Sequence, residues 1–186
     1  MILQVQRRLF TTEEYHAMIA NGVLKEDDRL ELIQGEIVEM SPIGPKHLAH
    51  VNRLTRLFSR RVGDRALISV QNPIFLGKQS EPQPDLALLR PRADEYENAL
   101  PKPKDVLLVI EVADTTVDYD RDVKIALYGR AGIAEAWLVC LDDRWVEIYT
   151  EPTAAGYRMM RKALPGERIA PQALPQAALK VSEILR

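Results

Sequence analysis

The alternation of apolar and polar positions changes period several times along the chain. Thr12, Glu14 and Tyr15 open a short helix that should end near Asn21-Gly22. The stretch RLELIQGEIVEM then alternates on both sides of Gln34-Gly35, which predicts a β-hairpin. Ser41-Pro42 and Gly44-Pro45 break it. From Lys46 to about Gly63 the period becomes helical: Leu48, Val51, Leu54, Phe58 and Val62 share one side, and His47 flanks it. Lys46, Arg53, Arg56 and Arg60 fall on the opposite face.

Three apolar runs follow, RALISVQNPIFLG, PDLALL and DVLLVIEVA, each with strand character. A proline- and charge-rich loop, RPRADEYENALPKPK, separates the last two. A helix is expected from about Tyr119 to Ala131, stopped by Gly132. EAWLVCL and RWVEIYTE read as strands joined by a turn at Asp142-Asp143. Beyond Ala163 prolines dominate, with room for one last helical turn. The order predicts a single α/β (α+β) domain over about 11–180, a mixed sheet flanked by helices and preceded by a hairpin.

Composition narrows the function classes. The 186 residues suffice for one core, and the balance of hydrophobic and charged residues is that of a globular protein. Cys140 is the one cysteine, which excludes a disulfide framework and a cysteine-rich zinc site and fits a cytoplasmic home. No apolar run is long enough to span a bilayer. The opening MILQVQRRLF lacks the order of a signal peptide. The net charge of −2 makes any polyanion site a local patch. There is no glycine-rich phosphate loop, serine-nucleophile motif or HExxH pattern, and no organic cofactor is expected. Trp137, Trp145, Tyr149 and Tyr157 fit strand or core packing, and Cys140 an inert buried thiol.

One residue breaks the apolar pattern. In VLLVIEVADTTVD, Glu111 sits inside a run that reads as a buried strand, on the face of Val109 and Ala113. A buried carboxylate needs a partner, a metal or a raised pKa. Pro84-Asp85 opens the preceding strand and places a second carboxylate at its mouth. Two converging carboxylates suit a hard divalent ion such as Mg²⁺.

These residues resemble the PD-(D/E)XK nuclease superfamily, in which a Pro-Asp strand precedes a strand bearing Glu-x-Lys. Ala113 stands here where that lysine is expected, and Lys124 lies on the following helix, a displacement known in the superfamily. The closer resemblance is to the Uma-two family of restriction endonucleases. It is carried by LELIQGEIVEMSPIG with His47, by QNPIFL and PQPDLALL, by VIEVADTTVDYDRDVKIALYGRAGIAEAWLVCL and by VEIYTEP, from about Thr11 to beyond Tyr157.

The resemblance implies a restriction-endonuclease-like core and DNA cleavage dependent on Mg²⁺ or Mn²⁺. It implies Asp85 and Glu111 as metal ligands and Lys124 as the residue that orients water or stabilises charge on the phosphate. Glu31, Glu36, His47 and Asp120 match supporting positions. Lys46, Arg53, Arg56 and Arg60 are candidate DNA contacts. A homodimer is expected, because symmetric pairs are the commonest oligomer and duplex cleavage uses two sites.

Each assignment has a plainer alternative. Asp85 can cap a turn, and Glu111 can pair with an internal cation. Lys124 stands four residues after Asp120, the spacing of an ordinary helix salt bridge. Asp120 suits a helix N-terminus, Glu31 and Glu36 a solvated strand face, and His47 a structural hydrogen bond. The basic helix face can be merely solvated. A nuclease fold that binds without cleaving, and a regulatory dimer, are the alternative functions.

Overall fold

The computed structural model describes residues 7–25 and 28–186; the opening MILQVQ, weighed above as a leader, lies outside them. Its centre is a six-stranded sheet in the order β3-β4-β5-β6-β7-β8: β3 (Leu67–Val70), β4 (Leu86–Leu89), β5 (Val106–Ala113), β6 (Glu135–Cys140), β7 (Trp145–Thr153) and β8 (Gly156–Ala163). Only β5 and β6 run parallel; every other neighbouring pair in this sheet is antiparallel. A parallel pair needs a crossover, and the helical segment between β5 and β6 supplies it. This is the mixed α/β architecture that the strand and helix order predicts.

The sheet is covered on both faces, which is why β5 and β6 are buried from end to end. On one face Leu108, Ile110 and Val112 of β5 join Leu54 and Phe58 of α2 (Pro45–Val62). Phe58 meets Trp137 of β6 with ring centroids 6.0 Å apart. Complete burial of side chains such as Leu54 and Phe58 contributes roughly 1.5–3 kcal/mol each. On the other face Val109 and Ala113 pack under Ile125 and Tyr128 of the crossover. Glu111 has the parity of this second face.

The crossover spans 117–130. It begins as one α-turn at Val117–Tyr119, widens into a π-helix over Asp120–Ile125 and returns to α over Ala126–Arg130. The expected stop holds: Gly132 adopts φ +85°. The N-terminal helix α1 (Thr12–Ala20) carries a complete capping box between Thr11 and Glu14. The hairpin, β1 (Leu30–Ile33) with β2 (Glu36–Glu39), turns at Gln34 (φ 52°) and Gly35 (φ 82°), a two-residue turn with both centres left-handed. Its ends are tied down: Glu81 N–H donates to Leu32 O at 2.7 Å and Gly35 N–H to Gln79 O at 2.7 Å.

Two expectations change, and one strand is added. RALISVQNPIFLG is not one long strand: β3 stops at Val70, where Gln71 turns left-handed and Pro73 removes a donor. Leu48 is half exposed rather than on the buried side of α2, because it lies in the first turn, ahead of the buried run from His50 onward. GYRMMRKA, which carries no apolar alternation, forms the edge strand β8 through backbone pairing with β7. The proline-rich tail adds a short ladder, β9 (Arg168–Ile169) with β10 (Leu179–Lys180), and a final helical turn at Val181–Ile184.

Candidate active site

The antiparallel register pairs Leu86 of β4 with Ile110 of β5. One step further, Asp85 stands across from Glu111. Pro84 has no N–H to offer, and the local ladder is replaced by side chains: Val112 N–H donates to Oδ2 of Asp85 at 2.9 Å, and Asp85 N–H reaches Oε2 of Glu111 at 3.4 Å. Both carboxylates are buried, at 8% and 2% exposure.

Three further elements close on this pair. The crossover brings Lys124, whose Nζ lies 2.9 Å from Oε1 of Glu111 and 3.4 Å from Oε2 of Glu31. Nζ also donates to Gln83 O at 3.4 Å. One turn later Tyr128 OH donates to Oε1 of Glu111 at 2.5 Å. The hairpin brings Glu31, which accepts the Gln83 N–H at 2.9 Å. The first turn of α2 brings His47, whose Nε2 bonds Oδ2 of Asp85 at 2.9 Å. Asp120 lines the same cleft and accepts from Thr116 Oγ1 at 2.6 Å. The cleft encloses about 520 Å³.

The electrostatics follow from four carboxylates sharing one lysine. Burial drives Glu111 up to about 8 against the pull of Lys124, with Asp85, Asp120 and Glu31 adding to the rise. Burial also drives Asp120 up to about 6. Burial would lower the pKa of Lys124, but Glu111, Glu31, Asp120 and Asp85 outweigh it and keep the ammonium charged. Burial would likewise raise Asp85; the hydrogen bond and charge of His47, with Lys124 and the Val112 N–H, hold it below the ordinary value. The bond to Asp85 raises His47 against its own burial.

The residues that could hold a hard cation are Asp85 and Glu111. Among the described residues no three His, Cys, Asp or Glu side chains converge as a ready cage. Oδ1 of Asp85 meets Gln71 Nε2 at 3.3 Å, and Oε2 of Glu111 has only its long contact with the Asp85 N–H. Two oxygens with such weak partners, in a cleft with surplus negative charge, fit an ion that takes few carboxylates and keeps waters.

The structure gathers Glu31, His47, Asp85, Glu111, Asp120 and Lys124, and leaves the other candidates elsewhere. Glu36 is exposed on β2 and pairs with Arg7 at 2.7 Å. Lys46 pairs with Asp114 at 2.8 Å, at the cleft wall, and with Asp142. Arg53 donates to the carbonyls of Ile184 and Arg186 at 3.2 and 2.7 Å, tying α2 to the tail. Arg56 and Arg60 are exposed. The Asp120–Lys124 helix pair is absent among the described residues; the π segment turns Lys124 toward the sheet. Sequence reasoning missed Tyr128 and Gln71. Tyr128 was within reach, since it stands four residues after Lys124 on the same helical side.

The family model described as "Putative restriction endonuclease", Uma2, matches residues 12–182. Among solved structures, a "putative nuclease belonging to DUF820" from Anabaena variabilis ATCC 29413 superposes with a TM-score of 0.76. It is 17% identical, over 95% of this chain and 97% of that one, a likeness of fold. No curated protein matches the chain. Among the described residues no helix is long and apolar enough to cross a membrane.

Proposed function

The chain belongs to the Uma2 restriction endonuclease family, and on that premise we propose that it is a metal-dependent DNA endonuclease with Asp85, Glu111 and Lys124 at its centre. The observation that carries the reading is the meeting of Lys124 Nζ with Glu111 at 2.9 Å beside Asp85, in an open cleft. The lysine reaches from the crossover helix the carboxylate that it would flank from position 113 in the usual arrangement.

Asp85 and Glu111 would hold Mg²⁺ or Mn²⁺, which when bound polarises a phosphoryl oxygen and acidifies water. His47 and the Val112 N–H fix the orientation of Asp85. Tyr128 fixes Oε1 of Glu111. Lys124 presents a permanent positive charge to the phosphate or its attacking water. Glu31 keeps that ammonium in place from the hairpin side.

Nicking of supercoiled plasmid tests the reading, with Mg²⁺, Mn²⁺ or EDTA, for wild type and for Asp85→Ala, Glu111→Gln and Lys124→Ala. Metal-dependent nicking lost in all three variants supports it. Equal nicking by wild type and variants would sink the site. One observation favours a second reading, a module that binds DNA without cutting: Oε1 of Glu111 already takes two donors. Duplex binding by wild type with no nicking under either metal would decide for it. The proposal includes a homodimer, which a native mass of 21.1 kDa in solution would exclude.

A further inference from the structure

The hairpin does more than deliver Glu31. Residues two apart on a strand share a face, so Arg29 and Glu31 point the same way. Across the hairpin, Glu31 pairs with Val38, and Met40 N–H donates to Arg29 O at 2.7 Å, extending the ladder by one pair. All four residues line the cleft. One face of the hairpin is therefore a cleft wall, with Glu31 at its inner end and Arg29 about 7 Å further out.

The charges of the cleft make Arg29 distinctive. Its lining carries the carboxylates of Glu31, Glu39, Asp85, Glu111, Asp114 and Asp120, against the permanent cations Arg29 and Lys124. Lys124 sits at the reacting centre, beside Glu111 and Glu31. Arg29 pairs with no carboxylate among the described residues, and it is half-buried with its backbone held by the hairpin. Its charge acts on His47, another residue of the cleft lining. An anionic polymer entering a cleft whose charged side chains are mostly acidic needs a cation placed before the reacting centre.

We propose that Arg29 binds a backbone phosphate of the nucleic acid next to the one attacked beside Asp85 and Glu111. This rests on the nuclease reading. The step from Glu31 to Arg29 is of the order of the spacing between neighbouring phosphates on one strand. A guanidinium offers two parallel N–H donors to a phosphate, so the contact sets the register of the strand as well as attracting it. Arg29 is a positioning residue: it touches the substrate away from the reacting bond.

The test is binding of a fluorescein-labelled 20-base-pair duplex to the cleavage-blocked Asp85→Asn protein in Mg²⁺, across a salt series. Adding Arg29→Gln should weaken binding about tenfold or more and reduce the log–log salt slope by about 0.9, one phosphate contact. Arg29→Lys should keep the slope and most of the affinity, an outcome that loss of folding would not produce. In the otherwise wild-type protein, Arg29→Gln should raise KM for plasmid nicking more than it lowers kcat. Wild type that nicks, with Arg29→Gln unchanged in affinity and slope, overturns the role of Arg29 alone. Wild type that neither binds duplex nor nicks overturns the nuclease reading, and this inference with it.

Discussion

Oε1 of Glu111 is held by two donors from one helix, the Lys124 ammonium at 2.9 Å and, one turn on, the Tyr128 hydroxyl at 2.5 Å. Lys124 and Glu111 are 4% and 2% exposed, so neither has bulk water to fall back on. Above about pH 8, where Glu111 is ionised, Lys124→Met should therefore cost about 3 kcal/mol, because it strands a buried carboxylate. Adding Glu111→Gln should recover part of that loss. Urea unfolding of wild type, both single variants and the double variant measures it; a Lys124→Met protein as stable as wild type would contradict the pairing.

The crowding of carboxylates sets a pH dependence. Glu111 rises from 4.5 to about 8 and Asp120 from 3.8 to about 6 in the folded chain. Between those values the folded chain retains protons that the unfolded chain has released, so stability falls with rising pH. Their contribution is complete below about pH 4 and lost as pH passes through about 6 and then 8. The melting temperature should decline over this window, and Glu111→Gln should flatten the upper part. If Mg²⁺ binds as proposed, it should raise the melting temperature most near pH 8, where Glu111 ionises. A metal effect that grew toward acid pH would contradict Glu111 as a ligand.

A second ion pair anchors the π segment. The Arg121 guanidinium grips buried Glu147 of β7 at 2.9 and 3.0 Å, and Tyr149 OH donates to Glu147 at 2.6 Å. Glu111, Leu138 and Glu147 form one row across β5, β6 and β7, so Arg121 and Lys124 tie the segment to both ends of it. Glu147→Ala should cost about 1–3 kcal/mol, because it leaves the buried Tyr149 hydroxyl without its acceptor and slackens that anchor, while Arg121 can turn to water. Thermal melts measure the cost. If the chain nicks DNA as proposed, nicking assayed well below the melting point should fall too, since Lys124 is three residues from Arg121.

The C-terminal end of the crossover is seated by a glycine. A Cβ on Gly129 would lie 2.6 Å from the carbonyl carbon of Gly156 and 2.8 Å from the nitrogen of Tyr157. Backbone cannot swing aside as a side chain can, so Gly129→Ala should destabilise by about 1–3 kcal/mol. Gly166→Ala, with nothing within 4 Å and no left-handed φ, is the control and should be near neutral. Equal melting temperatures for the two variants would show that the helix end can shift away from β8.

Several elements were legible because local chemistry and tertiary packing agree. The hairpin turn at Gln34-Gly35, the helix behind Gly44-Pro45 and the buried strands around Ile110 and Leu138 follow from period, turn residues and apolar runs. β8 was not legible, because an edge strand paired on one side tolerates Arg158, Met159, Met160 and Arg161 facing water. The π widening at Asp120–Ile125 was not legible either, since its residues suit an ordinary α-helix.

By itself the sequence determined that Glu111 needs a partner, that Asp85 stands at a strand mouth and that Lys124 rides on a helix close behind. Those facts depend on residue type and spacing alone. Which acids share the cleft was decided by tertiary structure. Glu31 and Glu36 look alike in the chain, yet Glu31 reaches Lys124 while Glu36 faces water and pairs with Arg7. The docking of the hairpin on Glu81 and Gln79 selects between them. The same holds for the basic face of α2, where Lys46 and Arg53 are taken up by Asp114, Asp142 and the tail carbonyls. A charge's partner is set by what folds against it across tens of residues, and spacing along one element carries no record of that.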